Sequence, residues 1–501
     1  MQNILGLSKT NKLILAALAF LAVLAFGSGR AHAATLNVSG GCTLPIAINS
    51  VNAGANQSGC TASGSYGTND TITIPAGTIT VAADLPQITE SVTIQGAGMS
   101  QTTISGDNGQ YTLLDTEVPQ VSVSGVKLTA FEGCALSFFN SNVVLNDIEI
   151  DGTNATRRNP GNSLCGMEIV SDIGTFSLDS TDVYIHSIDA TGSNYIDGIF
   201  VNPYGGSTID VDLQNTTFSD IHALSGGVNG IFMAAGFLES GGGTITANIT
   251  NTTVDDITST AITAPFANIA FADGGDANVT TVVNNITITG NRGVPGSGFL
   301  TGLNTAAFYA IGVGAGATDD GVVNVTVGNS LMADNLSNSS PSNCFAGDLT
   351  SNYGGSGTVT TDITSLGHNI ADDNSCGFSQ TGDQQNVSNI IDTLGPLQDN
   401  GGNVPTRALL AGSPAIAAGG SVLGVTTDAR GTARPGDCPS VGAFQFEGAV
   451  CGASTPTTSG GGNAAAPSTG VGSVSSIFAV SVSLLGLSMI TYASRKRLMI
   501  K

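Results

Sequence analysis

One phrase recurs down the middle of the chain and restricts what the chain can fold into. A small polar residue, often Asn followed by Thr or Ser, leads a run of alternating apolar residues. The phrase begins at Asn146, Ser180, Asn215, Asn251, Asn285 and Asn329, at spacings of 34, 35, 36, 34 and 44 residues. A period of this length marks a solenoid or array, in which each unit buries its apolar face against the next. Within each unit the alternation has period two, which is strand and not helix.

Two further strand-like pieces complete each unit. Gly198-Ile-Phe-Val201 and Gly230-Ile-Phe-Met233 occupy matching places. So, approximately, do Thr208–Leu213, Thr244–Ile249 and Val279–Val283, with Gly-, Ser- and Asn-rich turns between. Three short strands per coil describe a parallel β-helix, with inward side chains stacked in continuous columns. A β-sandwich also has short strands and Gly-rich turns, but it does not need a phrase at a near-fixed interval. A composition with 68 Gly, 5% aromatic residues and no Trp agrees with a nearly helix-free body. The expectation is an all-β, single-stranded, right-handed parallel β-helix. A short N-terminal cap helix, around Leu44, Ile46, Ala47, Ile48 and Val51, would close its open end.

Charge narrows the partners. The formal net charge is −23. All 37 acidic residues lie between the two ends of the chain, whereas seven of the 14 basic ones fall in those ends. Phosphate backbones are bound by clustered Lys and Arg, so nucleic acid is excluded as a partner. The acidity suits a soluble surface in an extracellular setting.

The eight cysteines fall in four neighbouring pairs: Cys42 with Cys60, Cys134 with Cys165, Cys344 with Cys376, and Cys438 with Cys451. An even count suggests disulfides formed outside the cytoplasm. Proximity favours these pairings, although eight cysteines allow about 105 connectivities.

Both ends carry targeting signals. Residues 1–33 read as a secretory signal, with Lys9 and Lys12, the apolar Leu13 to Phe26, and Ala31-His32-Ala33 as the cleavage site. Residues 454–470 form an uncharged Ser/Thr/Gly/Pro linker. Residues 471–494 are long and apolar enough for a transmembrane helix, and Arg495-Lys496-Arg497 opens a basic cytoplasmic tail over 495–501. Between these ends a cap and first coils are expected at 34–106, central repeats at 107–340 and terminal coils at 341–453.

Ala466-Pro467-Ser468-Thr469-Gly470 precedes the apolar stretch. This order of parts resembles a sortase sorting signal, whose usual motif is Leu-Pro-x-Thr-Gly. Pro467, Thr469 and Gly470 match, and Ala466 stands where Leu is usual. The resemblance implies cleavage after Thr469 and attachment to a cell-envelope polymer. The alternative is a plain membrane anchor. Either way the body is extracellular and tethered by its C-terminus.

Near the N-terminus, Cys42, Leu44, Ala47, Ile48 and Asn52 match a family of secreted β-helix proteins that opens Cys-Ser-Leu-Arg-Glu-Ala-Ile. Thr43 stands there for Ser, while Pro45 and Ile46 depart. Ser365-Leu-Gly-His-Asn369, Leu394–Gly402, Gly412-Ser-Pro-Ala-Ile416, Thr427-Asp-Ala-Arg-Gly431, Arg434-Pro435 and Gly442-Ala-Phe444 resemble the choice-of-anchor Q domain. The resemblance implies a surface-displayed β-helix and brings no catalytic residues with it. Read as chemistry, the same motifs are turns. Arg407, Arg430 and Arg434 are expected to hold carbonyls and carboxylates where the last coil ends. His368 reads as a satisfied turn residue.

Many β-helices cleave polysaccharides, by carboxylates that bind calcium together with a basic side chain. Asp151, Asp220 and Asp256 share one phase of the repeat. Asp220 and Asp256 would stack about 4.8 Å apart on adjacent coils, so they either bind a cation, shift their pKa or splay into water. They are the weak metal candidates, and calcium the only cofactor the sequence suggests. Cations for catalysis are scarce, with Lys127, Arg157, Arg158 and Arg292 alone in the central coils, and no catalytic residue is assigned. His186 and His222 fall near one repeat phase. Three functions follow, in order of preference: a non-enzymatic adhesin or stalk touching carbohydrate or another cell, a polysaccharide lyase or hydrolase, and a passive envelope component.

Overall fold

The computed structural model describes residues 33–157, 164–190, 195–224, 226–237, 239–296, 303–421 and 424–448. The leader, the linker with Pro467, Thr469 and Gly470, the apolar stretch 471–494 and the basic tail lie outside them. Among the described residues no helix is long and apolar enough to cross a membrane.

Three parallel strands make each coil. From Ile196–Pro203 the chain crosses to Thr208–Ala223, bends within it, and returns to Val228–Ala235 one coil further on. The pairing from coil to coil is parallel, with Ile199 beside Ile231, Phe200 beside Phe232 and Val201 beside Met233, as the repeat predicts. Three faces result. The first is an eight-stranded sheet from Leu114–Thr116 to Cys344–Asp348. The second carries Gly243–Thr250, Ala277–Asn284, Gly321–Gly328 and Val359–Gly367. The third carries Thr253–Ser259, Thr287–Thr289 and Leu331–Ala333.

Alternation places every second side chain inside. Ile150, Ile185, Phe218, Val254, Ile288 and Met332 stand one above another in register, each with no exposed surface. Burying each such side chain contributes roughly 1.5–3 kcal/mol. No single coil could bury them alone.

The corner between the second and third faces sets the repeat. Asp147, Asp182, Asn215, Asn251, Asn285, Asn329 and His368 occupy it with φ between 49° and 59°. Asn and Asp tolerate this left-handed conformation better than other residues with a side chain. The column corrects the sequence phase at two coils. Asp147 and Asp182, not Asn146 and Ser180, are the equivalents of Asn215, because Asp turns the corner as Asn does. His368 is satisfied there, its Nδ1 2.8 Å from the Ala418 carbonyl oxygen.

The expected cap helix spans Leu44–Asn52, with Leu44, Ala47, Ile48 and Val51 buried and Pro45 in its first turn. Three expected disulfides are present: Cys42–Cys60, Cys134–Cys165 and Cys344–Cys376. Cys438 is also disulfide-bonded, and Cys451 lies outside the described residues. Such bonds place the body in an oxidising compartment.

The C-terminal residues differ from expectation in one respect. They do not simply close the last coil but fold back along the outside of the third face. Thr217 Oγ1 donates to the Pro405 carbonyl at 2.8 Å, and the Ala443 N–H donates to Thr287 Oγ1 at 3.0 Å. Leu331, Ala333 and Ile370 point outward into a second apolar cluster with Leu394, Leu409, Val441 and Phe444. The three arginines hold this segment. Arg407 binds Asp255 through two nitrogens, Arg430 pairs with the buried Asp428, and Arg434 donates to three carbonyls and to Asn251.

Candidate ligand-binding cleft and the charged outer face

The first face carries an aromatic surface on its outer side. Phe200 and Phe232, equivalent residues of consecutive coils, pack with their rings tilted by 35° and centroids 5.4 Å apart. Phe232 meets Phe237 edge-on at 5.4 Å, Phe237 meets Phe271 at 6.2 Å, and Phe271 meets Tyr353 at 5.2 Å. Tyr309 follows in the outward row of Phe232 and Ala267, and packs on Phe345 at 5.9 Å. Aromatic contacts of this kind fix ring orientation as well as burying area. Together with Tyr195, Leu303 and Leu349 the rings enclose a cleft of about 110 Å³.

Asp197 forms part of its lining. The residue is 4% exposed and accepts a 2.8 Å hydrogen bond from Asn229 Nδ2, its neighbour on the next coil. Burial is the main cause that pushes its carboxyl up to about 7, with Glu168 adding repulsion against the lowering effect of Asn229. Burial likewise pushes the Tyr195 phenol up to about 12. The strand can approach so closely because Gly198 faces the core. A Cβ there would meet the Gly230 carbonyl oxygen at 2.5 Å and the Phe218 ring at 2.6 Å.

The outer side of the third face is charged where the C-terminal segment leaves it uncovered. Lys127 Nζ lies 2.8 Å from Glu149 Oε1 and 2.6 Å from Asp151 Oδ2. His186 Nε2 lies 3.1 Å from the same Glu149 oxygen, under the Tyr184 ring at 4.1 Å. Burial works against the charges of Lys127, Glu149 and Asp151, yet their hydrogen bonds prevail. Lys127 is raised above its ordinary value, and Glu149 and Asp151 are lowered below theirs. All three charges are therefore locked in at neutral pH.

Asp220 and Asp256 do face each other on adjacent coils, both at φ near 55°. Asp151 does not share their phase. It stands in the row of His186, Ser219 and Asp255, one position earlier, because the corner of its coil is Asp147 and not Asn146. Asp220, Asp256 and His222 present ligand atoms within 4.8 Å of one another. His222 Nε2 lies 2.7 Å from Asp220 Oδ1 and its Nδ1 lies 2.6 Å from Thr258 Oγ1. Calcium takes about six to eight oxygens, more than this set supplies. Burial is the main cause raising the Asp256 carboxyl above its ordinary range, with His222 opposing it and Asp255 and Asp220 adding to it. His186 and His222 share a face but are not neighbours, since His222 pairs in register with Asp189 and His186 with Ser219.

The sequence singles out Lys127, Asp151, His186, Asp220, His222 and Asp256, but neither Glu149, which joins Lys127 to His186, nor the cleft. One signal for it was legible: Phe200 and Phe232 occupy the same outward place in consecutive repeats. No protein-family model and no curated protein matches the chain.

Proposed function

We propose that this chain is a surface-displayed contact protein without catalysis, a right-handed β-helix of the choice-of-anchor Q type held to the cell envelope by its C-terminus. It meets another surface, or an envelope polymer such as a carbohydrate, through the aromatic cleft. Right-handedness follows the general rule for parallel strand crossovers. The C-terminal sorting motif and apolar stretch supply the tether, through a sortase or as a membrane anchor. Calcium is not required for this role.

The observation that carries the reading is the cleft itself. Rings that the stack does not need for its core line the outside of the first face, beside a buried carboxylate. Ligand sites are concave and mostly apolar, with a few placed polar groups. A lyase or hydrolase is supported less well. A basic catalyst must give up its proton near neutral pH, and Lys127 is held protonated by two carboxylates.

Attachment of the labelled chain to cells and to immobilised envelope polymers tests the reading. Phe232→Ala should reduce attachment at least tenfold while leaving the circular-dichroism spectrum unchanged. Attachment unaffected by that change, in a folded variant, would remove the cleft from the function.

A further inference from the structure

The cleft has a chemical asymmetry that narrows its ligand. Its lining is apolar, with aromatic and aliphatic side chains in equal number, and the one carboxylate among its described lining residues is Asp197, with no Lys, Arg or His among them. Asp197 has the Asn229 amide as hydrogen-bond donor and no counter-charge among the described lining residues. An anionic ligand would add repulsion to that from Glu168. A purely apolar ligand would leave the carboxylate desolvated without compensation. An inorganic cation such as calcium would find too few oxygens. A cation with an apolar shell satisfies both parts, because aromatic faces attract cations and the carboxylate neutralises one. The size agrees. A cavity of about 150 Å³ holds a benzene ring, so about 110 Å³ suits a single head group, free or carried on a larger polymer that stays outside.

We propose that the cleft binds a small organic ammonium group, quaternary or protonated, with Asp197 as its counter-charge and the rings of Phe200, Phe232 and Tyr309 as its walls. The proposal rests on the cleft being the contact site and specifies what it contacts: an amine-bearing group, free in solution or carried on an envelope polymer.

The probes are choline and its uncharged carbon isostere, 3,3-dimethylbutan-1-ol, titrated into the full chain and followed by calorimetry. Choline should bind at least tenfold more tightly than the alcohol. Asp197→Asn should abolish that preference by weakening choline, while retained binding of the alcohol reports that the cleft is still folded. Choline affinity should also fall as pH drops below about 7, where a proton competes for Asp197; Glu168, Asn229 and Tyr195 are the groups facing it. Oligomers of glucosamine and of its N-acetylated form separate the two sources. Tighter binding of the free-amine oligomer than of choline indicates a polymer-borne group, and the reverse a solute. Equal affinity for choline and the alcohol, or a choline preference that survives Asp197→Asn, would overturn the ammonium assignment and leave the cleft as an apolar contact site. If neither probe binds, the ammonium assignment falls. Phe232→Ala attachment then decides separately whether the contact reading stands.

Discussion

Asn251 donates its side-chain amide to Asn215 Oδ1, one coil back, at 3.2 Å, and to the Thr427 carbonyl at 2.9 Å. Its own oxygen accepts from Arg434 at 3.0 Å. One side chain therefore turns a corner of the stack, links two coils and pins the C-terminal segment. Asn251→Gly keeps the left-handed bend available but removes the ties. Asn251→Ala loses both, and an L-residue in that conformation costs about 1–2 kcal/mol. Guanidinium-induced unfolding should rank the variants wild type, Gly, Ala, with Ala below Gly by that amount. A Gly variant as damaged as the Ala variant would mean the bend itself is unimportant.

Arg407 and Asp255 join the folded-back segment to the third face, with Asp255 6% exposed at its side chain and also accepting from Thr289 Oγ1 at 2.6 Å. Removing one partner of a buried pair leaves the other charge desolvated, at a cost of about 3–5 kcal/mol. Asp255→Ala should lower stability by that order and expose residues 394–448 to limited proteolysis. The paired change Asp255→Ala with Arg407→Met should recover most of the loss. Equal damage from single and double variants would show that packing, not charge, holds the segment.

Period-two alternation and the Asn-led corner made the stack legible, because a repeating coil places equivalent residues at equal intervals. The phase slipped at Asn146 and Ser180 because Asp147 and Asp182 fulfil the corner's conformational demand equally well. The return of the C-terminal segment was written only in a broken alternation at Leu331-Met332-Ala333, where outward residues are apolar and need a cover. The cleft depends on contacts between Phe237, Phe271 and Tyr353, brought together from a turn, a strand and a short helical turn of different coils. Spacing along one repeat does not encode such contacts.

Cys134 and Cys165 lie directly opposite each other on adjacent coils of the first face, in the row that continues to Asp197. The bond spans 31 residues, for which chain entropy alone gives about 3.7 kcal/mol. The variant Cys134→Ser with Cys165→Ser should lose stability of that order in denaturant titration. A loss under about 1 kcal/mol would mean the stack already fixes these coils without it.

Asp197 gives the stability a defined pH dependence. Its folded value, about 7, is raised above the ordinary carboxyl value, so the folded state retains a proton that the unfolded chain has released. Its contribution is greatest below about pH 4 and declines as pH rises, levelling off once pH passes about 7. A difference of this size corresponds to something of the order of 4 kcal/mol at most. Unfolding free energies measured from pH 4 to 8 should therefore fall for the wild type by more than for Asp197→Asn, which carries no titrating group there. At pH 8 Asp197→Asn should be the more stable of the two. Parallel pH profiles for the two proteins would show that the carboxylate is solvated or already paired, and that the cleft is wetter than its aromatic walls imply.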